Sequence, residues 1–202
     1  MKTSLSSKLG IAIFDNRLLF SEIRKGKFKI LADFKFCSKS DKAYLYEFVF
    51  DSARKVRKRQ FVNQQRIFSI VSTRMIFDDM DKYYIAKSLI RAGYYINSFI
   101  SHNLAYAYYK ILNSSTCKES LMIGISDNKL IEIEKIVINC NRFTPDPLFR
   151  NEIRCIDEES VFSEFNFDSL IDLTKESNIF KEISIGSALF ADNLFSISSV
   201  NQ

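Results

Sequence analysis

Two stretches place a carboxylate at the same point of the same pattern. Ile11-Ala12-Ile13-Phe14-Asp15-Asn16-Arg17-Leu18 and Ile123-Gly124-Ile125-Ser126-Asp127-Asn128-Lys129-Leu130 both read I-x-I-x-D-N-basic-L. Each lies between alternating apolar runs. Asp-Asn in that setting marks a tight hairpin, because both residues tolerate positive φ and bond their own backbone. If the chain is two such halves facing each other, Asp15 and Asp127 approach across a cleft as a carboxylate pair. Closing a turn is the simpler role for each. Three more carboxylates, Asp78, Asp79 and Asp81, cluster where a helical pattern begins. They could hold a metal in a nuclease-type site, but capping of the helix accounts for two of them without one. His102 is the single histidine, which excludes a His-rich metal centre and makes a structural role the plainer one.

Other residue types narrow the chemistry. Cys37, Cys117, Cys140 and Cys155 stand far apart, with no C-x-x-C pair and no visible histidine partner. They read as reduced thiols in a reducing compartment, not as a zinc or disulfide framework. Phosphate-cradling loops need glycine, and the chain has only 5. The run Arg54, Lys55, Arg57, Lys58, Arg59 could face nucleic acid. It stands alone and lacks interleaved exposed aromatics, and cations on the last turns of a helix suit the dipole there. The net charge of +5 fits an acidic partner or a membrane surface but selects neither. No apolar run approaches the roughly 20 residues that span a bilayer, and Met1–Lys8 has no hydrophobic signal core, so a soluble cytoplasmic protein is expected.

The elements that must position these residues follow from periodicity. Residues 9–14, 18–24 and 28–36 alternate as three strands of an antiparallel meander. A helix is expected from an N-cap at 38–41 to about Gln60, then a strand at 66–72. The helix Met80–Ala92 is expected to bury Tyr84, Ile85, Leu89 and Ile90 and to stop at Gly93. A strand at 94–100, a helix over His102–Leu112 and a polar linker at 113–116 complete the first half. The second half repeats the plan in shorter form: a strand at 120–126, two strands within 130–140, a loop at 141–147, a short helix at 167–173 and a closing helix over 180–195. Domains of 1–112 and 117–202 are therefore expected.

That duplicated order resembles the ribonuclease-H-like plan of the actin, heat-shock chaperone and sugar kinase superfamily. It resembles in particular the small bacterial actin-like proteins PilM and FtsA and the cytoplasmic part of GspL-type secretion proteins. Leu9–Ile23 and Leu121–Ile133 look like the two phosphate hairpins, Ala92–Ala107 like the strand and helix that connect the halves, and Ile185-Gly186-Ser187-Ala188-Leu189 like the segment near the adenosine. The resemblance implies an α/β fold of duplicated ribonuclease-H-like (actin-like ATPase) halves, each a three-stranded antiparallel meander followed by helices and parallel strands.

The departures from the family pattern shape the functional expectation. Its hairpins carry D-x-G, whereas this chain has Ala12 and Phe14 in the first and only Gly124 in the second, and His102 stands where the connecting segment has an acid. Magnesium nucleotide sites need carboxylates at these ends. The resemblance therefore implies a catalytically inactive pseudo-ATPase: not an enzyme, with no catalytic residue, no metal and no cofactor. It would act as a scaffold or adaptor binding a protein component of a bacterial secretion or pilus-type membrane machine, reaching the membrane only through that partner. Nucleic acid is not the expected partner. Seven tyrosines fall within residues 83–109, more than two helices and a strand can bury, and Tyr94, Tyr95, Tyr106 and Tyr109 are the candidate partner contacts. Two alternatives keep the fold. One is a metal-dependent nucleic-acid-processing or phosphoryl-transfer enzyme with Asp15, Asp78 or Asp79 on metal. The other is a divergent ATP binder using Gly124 and Gly186.

Overall fold

The computed structural model describes residues 8–24, 26–36, 42–60, 67–112, 119–127, 129–139, 142–146, 151–156, 164–175 and 178–198. The expected N-cap at 38–41, the linker at 113–116, Asn128, and Cys37, Cys117 and Cys140 lie outside the described residues. The first sheet begins with the predicted meander, β1 (Lys8–Ile13), β2 (Arg17–Arg24) and β3 (Lys27–Lys35). Helix α1 (Lys42–Gln60) leads to β4 (Ile67–Thr73), and α2 (Asp79–Arg91) leads to β5 (Tyr94–Ser101). The strand order is β3-β2-β1-β4-β5, antiparallel through the meander and parallel from β1 to β5. Helix α3 (His102–Leu112) then carries the chain to the second sheet.

The second sheet repeats this arrangement. β6 (Ser120–Ser126) pairs antiparallel with β7 (Leu130–Asn139), and β10 (Ser169–Asp172) lies parallel on the other side of β6. β8 (Arg142–Pro145) and β9 (Glu152–Cys155) share the outer edge of β7 end to end. In both sheets the first strand of a meander is central and receives a parallel strand on its free side. Strand order and direction make this the duplicated ribonuclease-H-like plan of the actin-like fold.

Three local expectations are corrected. Residues 130–139 form one long strand instead of two. The expected loop at 141–147 holds β8, drawn into the sheet by pairing along β7. The expected helix at 167–173 is β10, with Ser169 and Ile171 buried and Leu170 exposed. Four residues are too few to display a period of two in isolation, and the backbone pairing to β6 decides the matter.

Both faces of the first sheet are covered. On one, Leu9, Ile11, Phe20, Ile67 and Val71 pack beneath Val49, Ala53 and Val56 of α1 and Ile85 and Leu89 of α2. On the other, Ala12, Phe14, Leu19 and Ile70 join Ile123, Ile125, Ile136 and Ile171 of the second sheet in one shared core. Between the sheets lie α3 and α4 (Ile179–Ser198), and α4 packs on β1, β2 and β4 of the first sheet although the second half encodes it. The packing is close: a Cβ on Gly186 would stand 1.8 Å from the Ala105 carbonyl oxygen, and one on Gly10 would stand 2.4 Å from the Ala188 nitrogen. Both obstacles are backbone. Gly186→Ala is therefore expected to force α3 and α4 apart and cost about 1–3 kcal/mol, read as a lower urea midpoint at unchanged slope. An unchanged midpoint would show that the helices separate freely.

Helix α2 starts with a reciprocal cap. Asp78 accepts a hydrogen bond from the Asp81 N–H at 2.7 Å, and Asp81 accepts one from the Asp78 N–H at 3.3 Å. Asp81 also receives the Tyr46 hydroxyl at 2.8 Å and the Lys42 ammonium, which fastens α1 to the start of α2. At the other end Gly93 adopts φ +91°, and Arg57 of α1 donates to its carbonyl. Asp78→Ala should lower stability by about 1 kcal/mol in urea denaturation, whereas a metal-binding role for Asp78 would make the loss depend on added divalent cation. No helix among the described residues is long and apolar enough to cross a membrane.

Candidate functional site

The two Asp-Asn turns meet across the gap between the sheets, where one cation joins them. Arg74 follows the last residue of β4, and its side chain is 3% exposed. Its Nη1 donates to Asp15 Oδ2 at 2.8 Å and to Asp127 Oδ2, and its Nε donates to Glu132 Oε1 at 2.9 Å. Glu132 is fully buried on β7, and its second oxygen accepts the Met75 N–H at 3.0 Å. A residue at the end of β4 in the first sheet is thus held by the Asp-Asn turns of both sheets and by the second sheet's β6–β7 hairpin.

The turns differ in detail. In the first, the Phe14 N–H bonds to the Arg17 carbonyl at 2.8 Å, so Asp15 and Asn16 form the tip. In the second, the Asp127 N–H bonds to the Leu130 carbonyl at 2.9 Å, which places the aspartate one position earlier in the turn. Its Oδ1 accepts the N–H groups of Lys129 and Leu130 at 2.7 and 2.8 Å, leaving Oδ2 for Arg74. The matching aspartates converge on Arg74: Asp127 also closes its turn through its side chain, while Asp15 sits at the tip of its own.

Charge follows geometry. Burial opposes ionisation of Asp127, but the Leu130 and Lys129 N–H groups and the Arg74 charge outweigh it and hold the carboxyl below its ordinary range. For Glu132 burial wins over Arg74, so its carboxyl lies above the ordinary range. Burial likewise raises Glu134, which accepts hydrogen bonds from Ser101 and Asn151. Arg74 stays charged: burial works against it, but Glu132, Asp15 and Asp127 raise its pKa above normal.

Beside this junction opens a cleft of about 760 Å³. Its walls include Phe14, Phe36 and Phe180, and Lys35 and Lys129 stand exposed at its two sides. Arg17 pairs with Asp33 through two hydrogen bonds and lies 4.6 Å from the centre of the Phe180 ring. Beneath the floor, the His102 ring packs against Phe14 with centroids 4.2 Å apart. His102 is fully buried, and its ring nitrogens face the backbone of Ser72 and Ile13 without a hydrogen bond of good geometry. Burial, reinforced by the Arg74 charge, depresses its pKa to about 3, so the ring is neutral at physiological pH. Its neighbour Asn103 bridges the lobes, donating to the carbonyls of Ile123 and Glu132 at 2.9 and 3.0 Å.

The other sequence candidates are dispersed. Asp78, Asp79 and Asp81 sit at the start of α2, where Asp78 and Asp81 form the cap. Among the described residues no group of three or more histidine, cysteine, aspartate or glutamate side chains is placed to hold a metal ion; the three carboxylates that do converge, Asp15, Asp127 and Glu132, converge on Arg74. Gly124 faces Phe167 and Gly186 faces α3, and neither lines the cleft. The four tyrosines do not form one surface. Tyr94 lies in the core with its hydroxyl on the Ala53 carbonyl at 2.9 Å, Tyr95 is exposed on the edge strand β5, and Tyr106 packs against the shared core from α3 with the Tyr109 ring 6.4 Å away.

Sequence reasoning passed over a different feature. Tyr84 and Ile90, expected in the core, are 38% and 59% exposed. With Met80 and Tyr83 they make an apolar stripe along the outward face of α2, opposite the buried set Asp81, Ile85, Ser88 and Leu89. The signal was legible: apolar residues at 80, 83, 84 and 90 share one helical face as clearly as 85 and 89 share the other.

No family model and no curated protein matches the chain. Among solved structures it is similar to the ROK hexokinase from Thermus thermophilus, with 14% identity and a TM-score of 0.48 over 68% of this chain and 47% of that one. It is similar also to the ethanolamine utilization protein EutJ from Carboxydothermus hydrogenoformans, with 9% identity and a TM-score of 0.47 over 74% of this chain and 52% of that one. The chain spans about half the length of these structures. One expectation is corrected here: that the chain is not an enzyme does not stand, since a protein similar to it is a hexokinase and nothing positive in the cleft shows inactivity. The topology of the two sheets, joined across Arg74, is that of the actin-like, duplicated ribonuclease-H-like fold.

Proposed function

We propose that this chain is an adaptor: an actin-like body of two lobes, 1–112 and 117–202, that docks a protein partner. One observation carries the reading, the exposed stripe Met80, Tyr83, Tyr84 and Ile90 on α2. Single exposed apolar residues are ordinary, but Met80, Tyr83 and Tyr84 adjoin on the first turns of α2, with Ile90 beyond Lys87 on the same face, and such a group marks an interaction surface. The resemblance of the hairpins to PilM- and FtsA-type proteins suggests the setting, a cytoplasmic face of a secretion or pilus-type machine whose partner brings the chain to the membrane. A photo-crosslinking residue at Tyr83, used in the native cell, tests this. The reading expects one partner crosslinked in fixed stoichiometry and lost in the Met80→Ser, Ile90→Ser variant. Crosslinks to no defined protein would contradict it.

The cleft favours a second reading, a bound anionic ligand with a ring. Aromatic walls at Phe14, Phe36 and Phe180 lie beside the exposed ammonium groups of Lys35 and Lys129. Magnesium ATP is the probe. Ligand at 100 times its dissociation constant adds about 2.7 kcal/mol of stability. A rise in melting temperature that disappears in Lys35→Glu, Lys129→Glu supports this reading, and no rise removes it for that nucleotide.

A further inference from the structure

Resting on the adaptor reading, we infer that the partner segment is acidic and lies in the groove between α1 and α2, with its carboxylates at the groove's basic end. Two adjoining cavities of about 410 and 490 Å³ form this groove, and Phe50 and Arg91 line both. The chamber near the end of α2 is lined by Arg54, Arg57, Lys58 and Arg91 and, among the described residues, by no carboxylate. Arg54 and Lys58 are exposed, Arg57 is committed to the Gly93 carbonyl, and the Arg91 guanidinium lies 4.8 Å from the centre of the Phe50 ring. Four like charges around one concavity repel one another, and an anionic occupant relieves that repulsion. The apolar stripe of α2 borders the same groove, since Tyr84 lines it, and supplies the footing for aliphatic or aromatic side chains between the acids.

The run Arg54–Arg59 looked isolated from aromatics in sequence. In space it is not, yet the aromatics are arranged for a peptide and not for nucleic acid. Single-stranded nucleic acid needs free ring faces for its bases and a continuous basic track for its phosphates. Here the Tyr46 and Tyr84 rings stack on each other at 5.1 Å and 24°, and Arg91 covers Phe50. Glu47 and Asp51 line the adjoining chamber and interrupt a phosphate track. They leave room for a polypeptide whose acidic residues are confined to one end.

The test uses the full chain and a fluorescein-labelled synthetic peptide of about twelve residues, close to the length of α2. The peptide carries leucine and phenylalanine in its first half and glutamate and aspartate in its second. A peptide with lysine for the acids and a single-stranded oligothymidine of equal length are the comparisons. Anisotropy is read in the native chain, in Arg54→Glu, Lys58→Glu, and in Lys27→Glu, Lys29→Glu on the distant β3, all at exposed positions. The acidic peptide should bind in preference to the basic one, lose at least about tenfold in affinity in the α1 variant, and keep its affinity in the β3 variant. Equal binding of the acidic and basic peptides, an unchanged affinity in the α1 variant, or tighter binding of oligothymidine would each overturn the inference. Failure of the adaptor reading is separately visible. A partner that still crosslinks at Tyr83 in the Arg54→Glu, Lys58→Glu variant leaves the adaptor intact and removes the acidic groove. No crosslink in the native chain removes the adaptor itself.

Discussion

Arg74→Met is expected to cost about 3–5 kcal/mol of stability, the penalty for removing one partner of a buried ion pair. Arg74 is 3% exposed and Glu132 is not exposed at all, so the variant strands a carboxylate in the shared core. Asp15 and Asp127 are left facing each other without the cation between them, but both are partly exposed and water moderates that contribution. The cost should therefore come mainly from Glu132. Adding Glu132→Leu to Arg74→Met removes the stranded charge and should recover a large part of the loss, because an apolar pair of similar volume often equals a buried ion pair. Urea denaturation of the two single variants and the double variant makes the cycle. Additive losses, with no recovery in the double variant, would show that Arg74 and Glu132 act independently.

His102 makes stability depend on pH. The ring is fully buried and its pKa depressed to about 3, whereas in the unfolded chain it titrates near 6.5. Between these values the unfolded state binds the extra proton, so stability rises with pH across the window. The contribution is whole above about pH 6.5 and is lost progressively as the pH falls toward 3. From pH 6.5 to 4 the loss is on the order of 3 kcal/mol. Asp127, Asp33 and Asp81, held below their ordinary range, lose stability in the same direction, while Glu132 and Glu134, raised by burial, oppose it. The histidine's part is isolated by His102→Leu, which removes the titrating ring from its buried place beside the Ser72 and Ile13 backbone. The variant should show a distinctly flatter fall in stability between pH 6.5 and 4. Parallel curves for the two chains would mean that the ring titrates in the folded chain near its unfolded value, so that its burial does not depress it.

The fold was legible in sequence because its period is simple where it matters. Ile11-Ala12-Ile13 and Ile123-Gly124-Ile125 announce the two meanders, and Asp78 and Gly93 announce the ends of α2. What escaped was the relation between the halves. Glu132 and Glu134 alternate with Ile131 and Ile133, which reads as one wet face and one dry face of β7. Both faces are dry. The isoleucines pack toward Phe165 and Phe167, and the glutamates turn toward the first lobe, where Arg74 and Ser101 meet them. Arg74 itself followed an apolar strand without any local sign that its charge would be buried. Helix α2 failed in the opposite sense: a helix with two apolar faces offers no local means of choosing the one that meets its own sheet. Covering Ile85 and Leu89 left Tyr83, Tyr84 and Ile90 outside, and the docking surface proposed for this chain is the remainder of that choice.

The central claim is that Arg74 holds two lobes as one body on which a partner docks. The most direct measurement is the distance between spin labels at Lys35 and Lys129, exposed residues on opposite sides of the cleft, in a chain cleared of its native cysteines. A single narrow distance in the native chain that broadens or lengthens in Arg74→Met is the predicted result. A distribution unchanged by Arg74→Met, whether broad or narrow in the native chain, would contradict the claim, because the relation of the two lobes would then not depend on the ion pairs between them.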